Sequence, residues 1–480
     1  MKHILFAAAE SAPFIKTGGL GSVLGSLPQE LCNENTKVSV VIPGYECISS
    51  EYHKQMERVK IFVMQLGWRH VYVEVCKYTH KKVDYYFIKN DNYFSGDQPY
   101  SEIWLDIEKY AFFCKAVCEM LPHIHTQIDI IHCHDWQTGL IPVFLRTMYP
   151  WSSYYARIKT IMTIHNLRFQ GICEIDRMRD ITGLPNSAFY YDKLEYYGNA
   201  NMLKGGIAYA DIVTTVSATY AKEIMTEEYG EGLHQLLAYR ERDLYGIVNG
   251  IDWEIYNPET DANVVYPYDK DNFAKERMKN KVELQKATGL PQIDTFTMGI
   301  VSRLTEQKGY DLMDGTIDKA LKQGAQLYVL GDGEEWVKEM LLRYKEAYPE
   351  QVYAQTEYSD VIAKKIYAGC DLTLMPSRFE PCGLNQLMAL RYGCLPLVRA
   401  TGGLRDTVKD DGIISGEGTG FVFEDYSKEE FSACLMRAME MYTSYPLEWK
   451  KRMENGMNMD FSWKKSAREY EKISEMLKRS

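Results

Sequence analysis

Residues 245–260 read YGIVNGIDWEIYNPET, and after a polar, charged stretch a new apolar run, FTMGIVSRL, opens at Phe296. By residue 245 the chain has already run through a series of short apolar segments alternating with helical patterns. At Phe296 the series restarts. A restart of this kind places a domain boundary near residues 243–250 and predicts two β/α domains in tandem. Length agrees: 480 residues are too many for one core and suit two or three domains of about 100–250 residues.

On the N-terminal side of the boundary the strand candidates are HILFAAA (3–9), VSVVIP (38–43), IDIIHCH (128–134), IKTIMTIH (158–165), DIVTTVS (211–217) and GIVNG (246–250). On the C-terminal side they are FTMGIVS (296–302), QLYVLGD (326–332), VYAQT (352–356), DLTLMPS (371–377) and CLPLVRA (394–400). Nearly all are continuous rather than alternating, as parallel strands buried on both faces are. Helical runs such as EKYAFFCKAVCEML (108–121) and SDVIAKKIYAGC (359–370) lie between them. The α/β class follows, with parallel sheets covered by helices on both sides. The last segment, FSWKKSAREYEKISEMLKRS (461–480), reads as an amphipathic helix.

Composition excludes several classes. A net charge of −11 argues against nucleic acid as a partner. No apolar stretch reaches the roughly 18 residues of a membrane span. The N-terminal ILFAAA is short and meets Glu10, unlike a signal peptide. Eleven cysteines without paired CxxC spacing read as reduced thiols, so a cytoplasmic location is expected. His123, His125, His132 and His134 sit close together in HIHTQIDIIHCHD. They fit either a metal site or ordinary alternation around a strand end, and no metal is expected.

In open α/β sheets ligands bind beyond the carboxyl ends of the strands. Polar signals gather there: AAAES, HCHDW, TIHN, VSRLTEQKG, LGDGE and MPSRFEPCG. Two such sheets suggest a cleft. KTGGLGSV (16–23) places Lys16 ahead of Gly18 and Gly19 at a strand-to-helix junction. It is neither a P-loop, which needs its lysine after the glycines, nor a dinucleotide fingerprint. What survives is a helix start whose bare amides and neighbouring cation suit an anion, or else a tight turn with a solvated lysine. Arg303 and Lys308 lie on one βα loop, and with Lys16 they could balance a diphosphate; a surface ion pair is the bland alternative for the two. Glu380 precedes a probable helix start at Gly383–Gln386.

Taken in order, KTGGLG, HCHDWQTGL, TIHNLRFQG, GIVNGID, VSRLTEQKG, YAGCDLTLMPSRFEPCGLNQ and YGCLPLVRATGGLRDTV resemble, over essentially the whole chain, the bacterial glycogen synthases and plant-type starch synthases. The resemblance implies a retaining GT-B glycosyltransferase with two Rossmann-like domains. These are residues 1–245, with 462–480 packing back on them, and residues 246–461. It implies ADP-glucose as donor, an α-1,4-glucan as acceptor, and no cofactor, nucleic acid or membrane. By the same resemblance Lys16, Gly18 and Gly19 face the donor's phosphates and close over them, and Arg303 and Lys308 hold the diphosphate as it leaves. Glu380 sits beside the glucose ring, with the amides of Cys382, Gly383 and Leu384 on its hydroxyls. Asp135 and His165 line the sugar and acceptor side, Asn249 touches the sugar's neighbourhood, and Tyr358 stacks on the base. Retaining glycosidases set two carboxylates about 5–5.5 Å apart, and no second carboxylate matches Glu380. Front-face displacement is therefore expected. Two departures stand out: Ser22 where the family commonly has aspartate, and Asn385 where it often has threonine. Asn385 is expected to cap the helix and donate to a phosphate. A UDP-glucose user and a non-catalytic glucan-binding relative are the competing readings.

Overall fold

The computed structural model describes residues 2–124, 126–412 and 416–479. His125 of the histidine-rich stretch lies outside the described residues. The chain divides into two compact units, residues 1–247 together with 463–480, and residues 248–462.

The first unit holds strands β1 (Lys2–Ala7), β2 (Thr36–Pro43), β3 (Glu57–Leu66), β4 (Arg69–His80), β5 (Val83–Lys89), β6 (Ile130–His134), β7 (Lys159–Ile164), β8 (Ile172–Glu174), β9 (Glu195–Tyr196), β10 (Asn199–Asn201), β11 (Ile212–Thr215) and β12 (Leu244–Gly246). One sheet runs β12-β11-β7-β6-β1-β2-β5-β4-β3, and β8-β10-β9 form a small second one. From β12 to β5 every pairing in the large sheet is parallel. Of these, β1, β2, β6, β7 and β11 are runs that read as continuous, and β1 and β6 are buried along their whole length. The order reverses between β1 and β6, so a ligand crevice belongs beyond their carboxyl ends. The helix Trp463–Arg479 packs on the helix Gly19–Leu31. Asn33 donates to Glu471 at 2.8 Å and the Tyr470 ring lies 5.4 Å from His132.

β4 joins β5 and β3 joins β4 in antiparallel fashion, an extension at the sheet edge that the strand candidates do not include. The candidates also omit β5 and the short β8, β9 and β10, and β12 is shifted: it ends at Gly246, where the run GIVNG begins.

The second unit holds β13 (Thr297–Val301), β14 (Gln326–Leu330), β15 (Val352–Gln355), β16 (Leu372–Met375), β17 (Leu395–Arg399) and β18 (Phe421–Phe423), in the order β15-β14-β13-β16-β17-β18, all parallel. That is the doubly wound order 3-2-1-4-5-6, with its reversal between β13 and β16. Asp371, just before β16, accepts from the Thr297 amide at 2.9 Å and from Lys281 Nζ at 2.7 Å, which pins β16 beside β13. Leu327, Leu372 and Leu374 are sealed in the core between sheet and helices, each contributing about 1.5–3 kcal/mol by burial. Among the described residues, no helix is long and apolar enough to cross a membrane.

Candidate active site

In the first unit the chain leaves β1 through Ala8–Glu10 and reaches the helix at Gly19. Glu10 is buried, and its carboxylate accepts from the Thr17 hydroxyl at 2.8 Å and from the Thr17 amide. This clamp holds the exposed turn Lys16–Gly19. Gly18 is the N-cap and offers no side chain to the first amides of the helix. Those amides and the dipole's positive end therefore remain available beside the Lys16 ammonium.

The carboxyl end of β6 delivers Asp135. Its φ of 57° lies in the left-handed region, and with ψ at −178° the backbone is held where non-glycine residues are strained. Asp135 Oδ1 accepts from the His165 amide at 2.7 Å, at the neighbouring end of β7. Burial pushes its carboxyl up to about 7, against the amides of His165 and Asn166, while the Glu10 charge adds to the rise. Burial and the charges of Glu10 and Asp135 raise the Tyr100 phenol, so it belongs to the same corner. Burial lowers His165 to about 4, so its imidazole is neutral at ordinary pH.

In the second unit the loops after β13 and β16 meet. Lys308 Nζ lies 2.6 Å from Glu380 Oε2, with both side chains largely buried. Ser377 donates to the same oxygen at 3.0 Å. Oε1 of Glu380 has no partner among the described residues, which leaves it for a ligand. Lys308 reaches this position because Gly309, at φ 77°, turns the chain against β16; a Cβ there would sit 2.0 Å from the Pro376 carbonyl oxygen. The Glu380 loop is held from the other side by Gly402, at φ 45°, whose Cβ would sit 2.0 Å from the Glu380 carbonyl oxygen. Arg303 is exposed, touches Gln307 at 3.4 Å and pairs with no carboxylate among the described residues. The surface ion-pair alternative therefore does not describe Arg303, and the ion pair Lys308 does make is with a largely buried carboxylate.

No protein carbonyl among the described residues takes the amides of Cys382, Gly383 or Leu384. Asn249 is buried next to Cys382, and its Oδ1 has no hydrogen-bond partner. A buried amide oxygen left unpaired is costly unless a ligand satisfies it. Tyr358 follows β15, also at the carboxyl edge of the sheet, and is 64% exposed. Asn385 departs from expectation. The N-cap is Leu384, Asn385 is already inside the helix, and its side-chain amide donates to the Val301 carbonyl. It ties the β13 end to this helix and does not cap it.

Residues 3–239 match the family model described as the starch synthase catalytic domain, and residues 283–456 match that of glycosyl transferases group 1. The chain is 50% identical to a glycogen synthase of Lachnospira eligens, over 98% of this chain and 99% of that one. The chain belongs to the glycogen and starch synthase family. A glycogen synthase of Lachnoclostridium phytofermentans is 48% identical, over 99% of this chain and all of that one. The catalytic domain of starch synthase IV from Arabidopsis thaliana, solved bound to ADP and acarbose, superposes with a TM-score of 0.89 at 30% identity, covering 99% of each chain. A sucrose-phosphate synthase from Thermosynechococcus elongatus, at 15% identity and a TM-score of 0.59, shares the fold. The two Rossmann-like units are thus those of a GT-B glycosyltransferase of this family.

Residues that the sequence reading gave no role are Glu10, Tyr100, Ser377, Gln307 and the Gly402–Gly403 pair. The last pair stands inside ATGGLRD, a glycine pair at a strand-to-helix junction much like Gly18–Gly19, and that repetition was the signal available.

Proposed function

We propose that the protein transfers glucose from ADP-glucose to the non-reducing end of an α-1,4-glucan, with retention at the anomeric carbon. The observation that carries this reading is the Lys308–Glu380 pair at the switch point of the second sheet, together with Arg303 and the amides of residues 382–384, which have no acidic or carbonyl partner among the described residues. Breaking a sugar–diphosphate bond leaves negative charge on the phosphate and positive charge on the ring. Arg303 and Lys308 are fixed cations for the first, acting where charge develops. Glu380 Oε1 is a fixed anion for the second. Glu380 stabilises rather than attacks, since Lys308 and Ser377 already hold its other oxygen. The leaving phosphate itself takes the proton of the acceptor hydroxyl, on the face it departs from, which conserves the α configuration. Asp135 and His165 serve the sugar and the acceptor. Lys16 and the amides of Gly18 and Gly19 offer a cation and donors to an anionic group.

The test is incorporation of labelled glucose into glycogen from ADP-glucose and UDP-glucose side by side. ADP-glucose is expected to give a kcat/KM at least about tenfold higher, equivalent to about 1.4 kcal/mol of transition-state binding. A tenfold preference for UDP-glucose, or a β-linked product, overturns the reading.

Tyr358 supplies a second check. An aromatic side chain stacked on a base contributes about 1–3 kcal/mol. Tyr358→Ala is expected to raise the donor KM roughly 5- to 100-fold with kcat within about threefold. An unchanged donor KM removes Tyr358 from the site.

A further inference from the structure

His134, the last residue of β6, is fully buried and plays no part in the chemistry proposed above. Its ring stacks on Phe6, with centroids 5.5 Å apart, and on His132 at 4.2 Å. One of its nitrogens has a partner: Nδ1 lies 2.9 Å from Nε2 of His165. The other, Nε2, is sealed and has none. Burial first, then the neighbouring rings of His132 and His165, hold His134 well below the usual imidazole range, so it is neutral.

A neutral imidazole carries one N–H and one lone pair. If the proton of His134 were on Nε2, an N–H would be buried without an acceptor, the rarer and costlier kind of orphan. With the proton on Nδ1, His134 donates to His165 Nε2, and only a bare lone pair stays unpaired among the rings. His165, also neutral, must then carry its own proton on Nδ1. That nitrogen has no partner among the described residues and is not sealed from solvent.

We infer that His134 is a positioning residue: its Nδ1–H fixes His165 as the Nδ1-protonated tautomer, so that His165 presents a hydrogen-bond donor, rather than a lone pair, beyond the end of β7. The backbone of His165 is held by Asp135 and its ring by His134, so both the direction and the polarity of the imidazole are set from behind. Resting on the function proposed above, this gives the reaction a donor for a sugar oxygen that brings no positive charge next to a ring becoming positive.

The test uses full-length protein labelled with nitrogen-15 at histidine. Long-range proton–nitrogen spectra report which ring nitrogen is protonated, and His165 is assigned as the residue whose signals vanish in His165→Gln. Wild-type His165 is expected to be protonated at Nδ1. His134→Phe keeps the ring stack but removes the donor, so His165 should leave that tautomer, with kcat falling about 10- to 100-fold, as for other outer-shell histidine partners, and donor KM within about threefold. His134→Asn replaces the Nδ1–H with an amide N–H and is expected to restore both the tautomer and most of kcat. Protonation of wild-type His165 at Nε2, or an unchanged tautomer in His134→Phe, overturns the inference. Should His134→Phe not fold, the wild-type spectrum still decides, because Nε2 protonation is incompatible with donation from His134. A tautomer that follows His134 while His165→Gln retains full turnover supports the positioning and sinks the catalytic reading of His165 instead.

Discussion

Glu380→Gln is expected to lower kcat by about 10²–10³, the cost of losing one preorganised transition-state contact, while ADP binds at least as tightly as to the wild type. The second half of that expectation comes from the 2.6 Å contact between Lys308 and Glu380. In the free protein Lys308 is neutralised by Glu380. Glutamine keeps the shape and a hydrogen bond from Lys308 but removes the charge, so the ammonium is left for the diphosphate. Removing one partner of a largely buried pair also destabilises the unliganded fold, by up to about 3–5 kcal/mol when nothing replaces the charge. The melting temperature of Glu380→Gln should therefore drop by a few degrees without ADP and recover when ADP supplies the missing anion. Calorimetric titration with ADP, melting curves with and without it, and initial rates on glycogen make three independent measurements. Full activity in the variant removes Glu380 from the chemistry. A trapped glucosyl adduct on the wild-type carboxylate replaces the electrostatic role by a covalent one.

The same contact shows where sequence reasoning stops. Lys308 and Glu380 are 72 positions apart. Each was legible as a candidate site residue, because each follows a continuous apolar strand and precedes a helix. Their direct pairing was not, since it depends on β13 and β16 being neighbours while β14 and β15 lie to one side. Periodicity carries no information about such an order. Most of the parallel strands were readable because both faces are buried and the apolar residues run without interruption; the parallel β5 and β18 were not read. β3 was not: its ERVKIFVMQL carries charges on an exposed edge, and only Met64 and Leu66 are buried. Glu10 shows a different loss. It reads as the residue that interrupts an apolar run, and its work as the clamp on Thr17 appears only when the loop folds back over it. Asn385 was assigned a cap from its type and place; tertiary structure gave its amide to Val301 instead.

Asp135→Asn is expected to make the protein more stable at pH 8 and much less active. The folded protein holds this carboxyl at about 7, against 3.8 for an unperturbed aspartate. Between those values the folded state binds more protons than the unfolded one, so stability falls as pH rises from about 4 to about 7 and stays reduced above. At about 1.36 kcal/mol per unit, the stability forgone at pH 8 reaches at most about 4 kcal/mol. Asparagine cannot ionise, yet its Oδ1 can still accept from the His165 amide, so the variant escapes the loss without giving up the bond. Its melting temperature should exceed that of the wild type by a few degrees at pH 8, and the difference should close below about pH 4, where both side chains are neutral. Activity should move the other way. A carboxylate kept in an unfavourable site and on strained backbone offers negative charge that a neutral amide does not, and its removal is expected to lower kcat by about 10²-fold or more. The wild-type rate should climb through pH 7 as Asp135 ionises, and that limb should be missing from the variant. A variant no more stable than the wild type at pH 8 would refute the raised carboxyl, and an unchanged rising limb would assign it to another group.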